Sequence, residues 1–131
     1  MGKETVICII IVILIVIGNI VTQNYTIDSV RELTNKLTEV KSELSKNESD
    51  ISKDNIKEKI KDVEDSWNSR HDKLAYFIEH DELEKVDTNI TALKSFIETN
   101  EYTEAVSELD KSVFVLKHIE AKYDFSLENV F

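Results

Sequence analysis

The sequence predicts an all-α protein. An N-terminal transmembrane helix continues into a juxtamembrane helix, and a small antiparallel three-helix bundle with an apolar C-terminal tail follows. Three observations lead there. Residues 5 to 21 form an almost unbroken apolar run, and no charged side chain occurs between Glu4 and Asp28. The chain has no proline, and both glycines, Gly2 and Gly18, precede residue 19. Beyond the run, apolar residues recur at spacings of three and four, the period of a helix with one buried face. These observations divide the chain into a head (1–4), an anchor (5–25), a juxtamembrane amphipathic helix (26–51) and an acidic helical bundle (52–131).

The anchor comes first. At ~1.5 Å of rise per residue, a helix from Thr5 through Tyr25 spans the ~30 Å hydrocarbon layer. Signal-peptide cleavage needs small residues at its site. The run instead ends Gly18-Asn19-Ile20-Val21-Thr22-Gln23, so an uncleaved signal anchor is expected. Cys8 lies near the start of the run, behind Val6 and Ile7, where a lipoprotein cysteine does not sit. Gly2 does not match the myristoylation motif, because residue 6 is Val rather than Ser or Thr. Lys3 flanks the run on its amino side, whereas Arg31 is the nearest cation on the other. The positive-inside rule then favours a cytoplasmic amino terminus and an extracytoplasmic domain.

In the juxtamembrane helix, Val30, Leu33, Leu37, Val40, Leu44 and Ile51 fall at a and d heptad positions, with Asn47 in the remaining d slot. Such a seam suits a coiled coil or a docking stripe, so Leu33, Leu37, Val40 and Leu44 are candidate interaction residues. Ser29 with Glu32 fits a capping box, unless the anchor helix runs on through them.

Polar residues crowd positions 45 to 55, the expected linker. A second helix then carries Ile56, Ile60, Val63, Trp67, Leu74, Phe77 and Ile78. Arg70 lies on the same stripe and needs a carboxylate partner or a route to water. Asp65, Glu64 and Glu128 are the candidates. Asp81 followed by Glu84 reads as a capping box for a third helix with Leu83, Val86, Ile90, Leu93, Phe96 and Ile97. Asn100 is the expected cap of a fourth, which carries Tyr102, Ala105, Val106, Leu109, Val113, Leu116 and Ile119. The tail places Phe125, Leu127, Val130 and Phe131 within seven residues, and it either completes the core or docks on a partner.

Composition narrows the function. With 16 Lys and Arg against 26 Asp and Glu, the net charge is −10. Lys3 and Glu4 cancel, so the part beyond the anchor carries all of it. Such a domain is repelled by nucleic acid and by anionic head groups. The lone Cys8 permits neither a disulfide framework nor a thiolate zinc site. Without glycine beyond the anchor, no phosphate-cradling loop can form. No nucleophile has a base at a recognisable spacing, so no catalytic residue, metal ligand or cofactor is expected, and the protein is not expected to be an enzyme. The cluster Glu79-His80-Asp81-Glu82 has ligand chemistry. Four adjacent helical residues point in four directions, however, and a polar helix corner is the simpler reading.

Trp67 with Arg70-His71, the run Phe77-Ile78-Glu79-His80-Asp81-Glu82-Leu83-Glu84, His118-Ile119 and the ending Ser126-Leu127-Glu128-Asn129-Val130-Phe131 together resemble an uncharacterised bacterial family. Its members are small single-pass membrane proteins, mostly from clostridia and related spore-formers. The resemblance implies a bacterial cell-membrane protein without an assigned activity, and a multi-pass membrane protein as one partner.

The expected function is a membrane-anchored, extracytoplasmic helical interaction protein that tethers another membrane protein or a second copy of itself. The alternatives are an extracytoplasmic binding module for a small ligand or cation, and a single-pass structural coiled-coil protein.

Overall fold

The computed structural model of the chain describes residues 2–130, with the side chains of residues 48 and 125–130 left aside. Four helices are present: α1 (Lys3–Leu44), α2 (Lys53–Leu74), α3 (His80–Glu98) and α4 (Tyr102–Val130). A single 3₁₀ turn, Glu48–Asp50, interrupts the α1–α2 linker. No strand occurs among the described residues.

The anchor helix does run on. α1 passes through Ser29 without a break, so the capping box there does not form. Ser29 Oγ instead donates to the Tyr25 carbonyl at 2.6 Å. From residue 3 to residue 19 every side chain is exposed. Burial begins at Gln23 and recurs at Ile27, Val30, Leu33, Leu37, Val40 and Leu44. The amino-terminal half of α1 is thus an apolar rod, with an 18-residue stretch of mean hydropathy 3.0 that is long and apolar enough to cross a membrane. Its carboxyl-terminal half is the fourth member of the bundle.

Ion pairs fix the topology. Lys36 meets Asp62 at 2.9 Å and Lys59 meets Glu39 at 3.7 Å, so α2 returns antiparallel to α1. Lys94 meets Glu64 at 3.1 Å, joining α3 to α2. Lys122 meets Glu79 at 2.6 Å, joining α4 to α3. Arg31 meets Glu120 at 2.7 Å and Lys41 meets Asp110 at 2.8 Å, closing α4 onto α1. This is an up-down-up-down four-helix bundle. One core runs through it, from Val30 and Leu37 across Ile56, Val63 and Trp67 to Leu83, Leu93, Leu109 and Ile119.

Local chemistry sets the corners. Ser52 caps α2 by accepting from the Asn55 amide at 3.3 Å. α2 stops at Leu74, so Phe77 and Ile78 belong to the corner, not to the helix. α3 starts two residues earlier than expected, at His80. Glu79 is its N-cap residue and makes no side-chain cap bond, while Asp81 lies in the first turn. Asp81 therefore adds negative charge near the helix N-terminus without satisfying an orphan amide as a cap. Asn100 ends α3 rather than opening α4. Its φ of 60° is left-handed. Its amide donates to the Ile97 carbonyl at 3.1 Å, and the Glu101 amide donates to the Phe96 carbonyl at 2.8 Å. This paired pattern is the Schellman motif, with asparagine in glycine's usual place.

Candidate functional site

The half of the bundle nearest the apolar rod holds a polar girdle built on the residues that stood out in the sequence. Trp67 is 4% exposed, and its ring lies among the core aliphatics. Its indole N–H donates to Asp87 of α3. His71, one turn on, stands edge-on to Trp67 with ring centroids 5.5 Å apart. His71 Nε2 lies 3.1 Å from the other Asp87 oxygen. One carboxylate thus holds two rings of α2 against α3.

Arg70 faces the opposite neighbour. Its guanidinium donates to Ser29 Oγ at 2.8 Å and to the Glu32 carboxylate, both on α1. Ser66 donates to Glu32 at 3.3 Å, and Lys36 lies 3.8 Å from it. Arg70 also sits over the Tyr25 ring, with Cζ 5.7 Å from the centroid, and Lys73 Nζ lies 5.8 Å from the same ring. The expected partners Asp65 and Glu64 are not used: Glu64 pairs with Lys94. Glu128 lies outside the described side chains. Sequence spacing cannot find Glu32, because that contact crosses from α2 back to the anchor helix.

The polar corner divides by residue. Glu79 accepts from Lys122 at 2.6 Å. That hydrogen bond and the Lys122 charge hold the Glu79 carboxyl below its ordinary value, and the same bond holds Lys122 above its own. His80 and Asp81 are exposed. Glu82 is buried, with His118 Nε2 at 3.6 Å and Lys122 at 3.9 Å. Its Oε2 accepts no hydrogen bond. Burial raises the neighbouring Tyr123 hydroxyl. Among the described residues, no group of three or more His, Cys, Asp or Glu side chains is placed to hold a metal ion.

The stripe residues have a different fate from the one expected. Leu33, Leu37, Val40 and Leu44 are between 0% and 5% exposed. They belong to the chain's own core, and α2 and α4 cover them. An apolar stripe at heptad spacing specifies burial but not the identity of what buries it, and here the later helices of the same chain do so. Phe125, Leu127 and Val130 have side chains outside the described set, and Phe131 lies outside it altogether. α4 itself continues to Val130.

Two further residues fasten the bundle without any warning in the sequence. Asp87 follows Val86 at the edge of an apolar stripe and looks like any solvated acid. Glu43 is buried at the distal end of α1. Lys46, 2.8 Å away, holds its carboxyl below the ordinary value, helped by the Ser52 amide and the Asn55 side chain. Glu43 thereby ties the end of α1 to the start of α2.

A family profile described as "Domain of unknown function (DUF4363)" matches residues 20–130. The chain belongs to this family. The match opens at the end of the exposed apolar rod and takes in all four helices of the bundle, so the carboxyl-terminal half of α1 lies inside the family's domain. No curated protein and no solved structure matches the chain.

Proposed function

We propose that this DUF4363 protein is a membrane-anchored tethering protein of the bacterial cell surface. On this reading α1 crosses the membrane once and holds the acidic bundle on the extracytoplasmic side, beside another membrane protein or a second copy. One observation carries the reading. The apolar rod of α1 passes into the bundle core without a linker, so the domain is held at the bilayer surface and cannot roam from it. Confinement of this kind raises the effective concentration of the domain toward any neighbour in the same membrane. Lys3 on the amino side of the span supports the outward orientation.

With the α1 stripe consumed internally, a partner must meet the outside of the bundle. Among the described side chains, the largest exposed apolar one on its helices is Phe114 of α4, 75% exposed, flanked by the half-buried Val106 and Val115.

The test combines topology with proximity. A Ser49→Cys variant should react with a membrane-impermeant thiol reagent on intact cells. A photo-crosslinking amino acid at Phe114 should give one discrete adduct in native membranes. Labelling only after lysis overturns the orientation, and an uncrosslinked monomer overturns the tethering role.

A further inference from the structure

The α2–α3 corner, residues 75–79, exposes two adjacent aromatic side chains. Tyr76 is 85% exposed and Phe77 is 36% exposed, with ring centroids 6.4 Å apart. The corner is not loose. The Tyr76 amide bonds to the Lys73 carbonyl at 3.2 Å, and the amides of Phe77 and Ile78 bond to the Leu74 carbonyl at 2.9 and 2.8 Å. Ile78 turns into the core at 5% exposure. The backbone thus presents Tyr76 and Phe77 outward from a fixed turn, where an unpartnered pair of rings has no structural use.

Their height along α1 is set by the antiparallel register. Asp62 faces Lys36, Ser66 faces Glu32, Arg70 faces Ser29, and Lys73 lies over Tyr25. The same register places Tyr76 level with Thr22, one residue past the end of the apolar run. Thr22 opens the last turn of the anchor (5–25), the turn in which the spanning helix leaves the hydrocarbon. Tyr and Trp favour that layer in membrane proteins because an apolar ring with a polar tip suits a half-wet environment.

We propose that the α2–α3 corner is a membrane-contact element: Tyr76 and Phe77 rest in the headgroup layer of the bilayer that α1 crosses. The inference relies on the reading of α1 as a spanning helix. It adds a second point of attachment, beside the first. Lys73 is exposed next to the rings, but Asp72, Glu79 and Asp81 are exposed there too. The contact therefore draws on aromatic side chains rather than on net positive charge, and zwitterionic lipid should suffice for it.

The test uses the full chain in phosphatidylcholine vesicles, with Cys8→Ala removing the native thiol. A nitroxide is placed in turn at Ala75, at Ile13 in the anchor and at Ser49 at the distal end, all exposed positions. Power-saturation EPR then compares accessibility to oxygen, which partitions into lipid, with accessibility to a polar nickel chelate. The oxygen-to-nickel ratio at Ala75 should lie several-fold above that at Ser49 and below that at Ile13. A Tyr76→Ser/Phe77→Ser pair should return the Ala75 ratio toward the Ser49 value, while circular dichroism shows the helices intact. A ratio at Ala75 equal to that at Ser49, or one that the double substitution does not move, overturns the proposal. A ratio at Ile13 equal to that at Ser49 overturns the spanning reading beneath it, so the two failures are distinct.

Discussion

Leu37 decides whether the juxtamembrane stripe belongs to the fold or to an assembly. The side chain is 0% exposed, midway along the part of α1 that lies in the bundle. Truncation to alanine removes buried methyl groups and leaves a cavity among neighbours held by α2 and α4. Such changes cost about 2–5 kcal/mol, out of ~5–15 kcal/mol for a whole domain. Trp67 is the single tryptophan and lies 4% exposed in the same core, so its fluorescence reports unfolding directly. With a urea slope of about 1.5 kcal/mol/M, Leu37→Ala should lower the midpoint by roughly 1.5–3 M. Leu37→Met keeps the volume and should cost less than about 1.5 kcal/mol. Thr38→Ala, an exposed neighbour, should stay within about 0.5 kcal/mol of the parent. The measurement is made on the full chain in nanodiscs. An unchanged midpoint for Leu37→Ala, with loss of self-association instead, would refute the reasoning: the stripe would then be an interface between chains.

The α3–α4 turn gives a second test. Asn100→Gly keeps the left-handed conformation and should be close to neutral, whereas Asn100→Val should cost roughly 1–2 kcal/mol and lower the melting temperature by several degrees. The Glu79–Lys122 pair makes stability depend on pH in a fixed direction. The Glu79 carboxyl is depressed, so its contribution is present above the ordinary carboxylate value of 4.5 and is lost as pH falls through the folded-state value. Lys122 is raised, so its contribution holds below 10.5 and is lost as pH rises through its own folded-state value. The melting-temperature difference between the parent and Glu79→Gln should be level from about pH 5 to 9 and shrink in acid; a difference that grows in acid would contradict the pairing.

The all-α class, the long apolar first helix and the three later helices were legible because each is a local pattern. The period of three and four places Trp67, Leu83, Leu109 and Ile119 on buried faces, and all four are buried. What one sequence lacks is the pairing between faces. The stripe through Leu33 and Leu37 has the same spacing whether a second chain or its own α2 and α4 cover it. Arg70 lies 38 residues from Glu32, and nothing near either side chain points to the other. The corners failed for a subtler reason. Asp81 and Asn100 each lie at a true boundary but in another role: Asp suits the first turn as well as the N-cap, and Asn suits a left-handed C-terminal position as well as an N-cap. A helix end with asparagine at a left-handed position looks, in sequence, like a start.

With α1 spanning a membrane as proposed, its continuity makes the molecule a lever. The helix carries no proline, and Gly18 is the only glycine within it, so it has no obvious place to kink. Spanning helices answer a thinner or thicker bilayer by changing their tilt. From the middle of the span to Leu44 the arm is about 45 Å long at 1.5 Å per residue, so a 10° change of tilt sweeps the distal turn sideways by about 8 Å. The bundle cannot absorb that sweep in a hinge, because its first helix is the arm. A neighbour gripping the bundle near its distal end would therefore register bilayer thickness as lateral displacement, while one gripping it near Tyr25 would register about 3 Å, roughly a third as much.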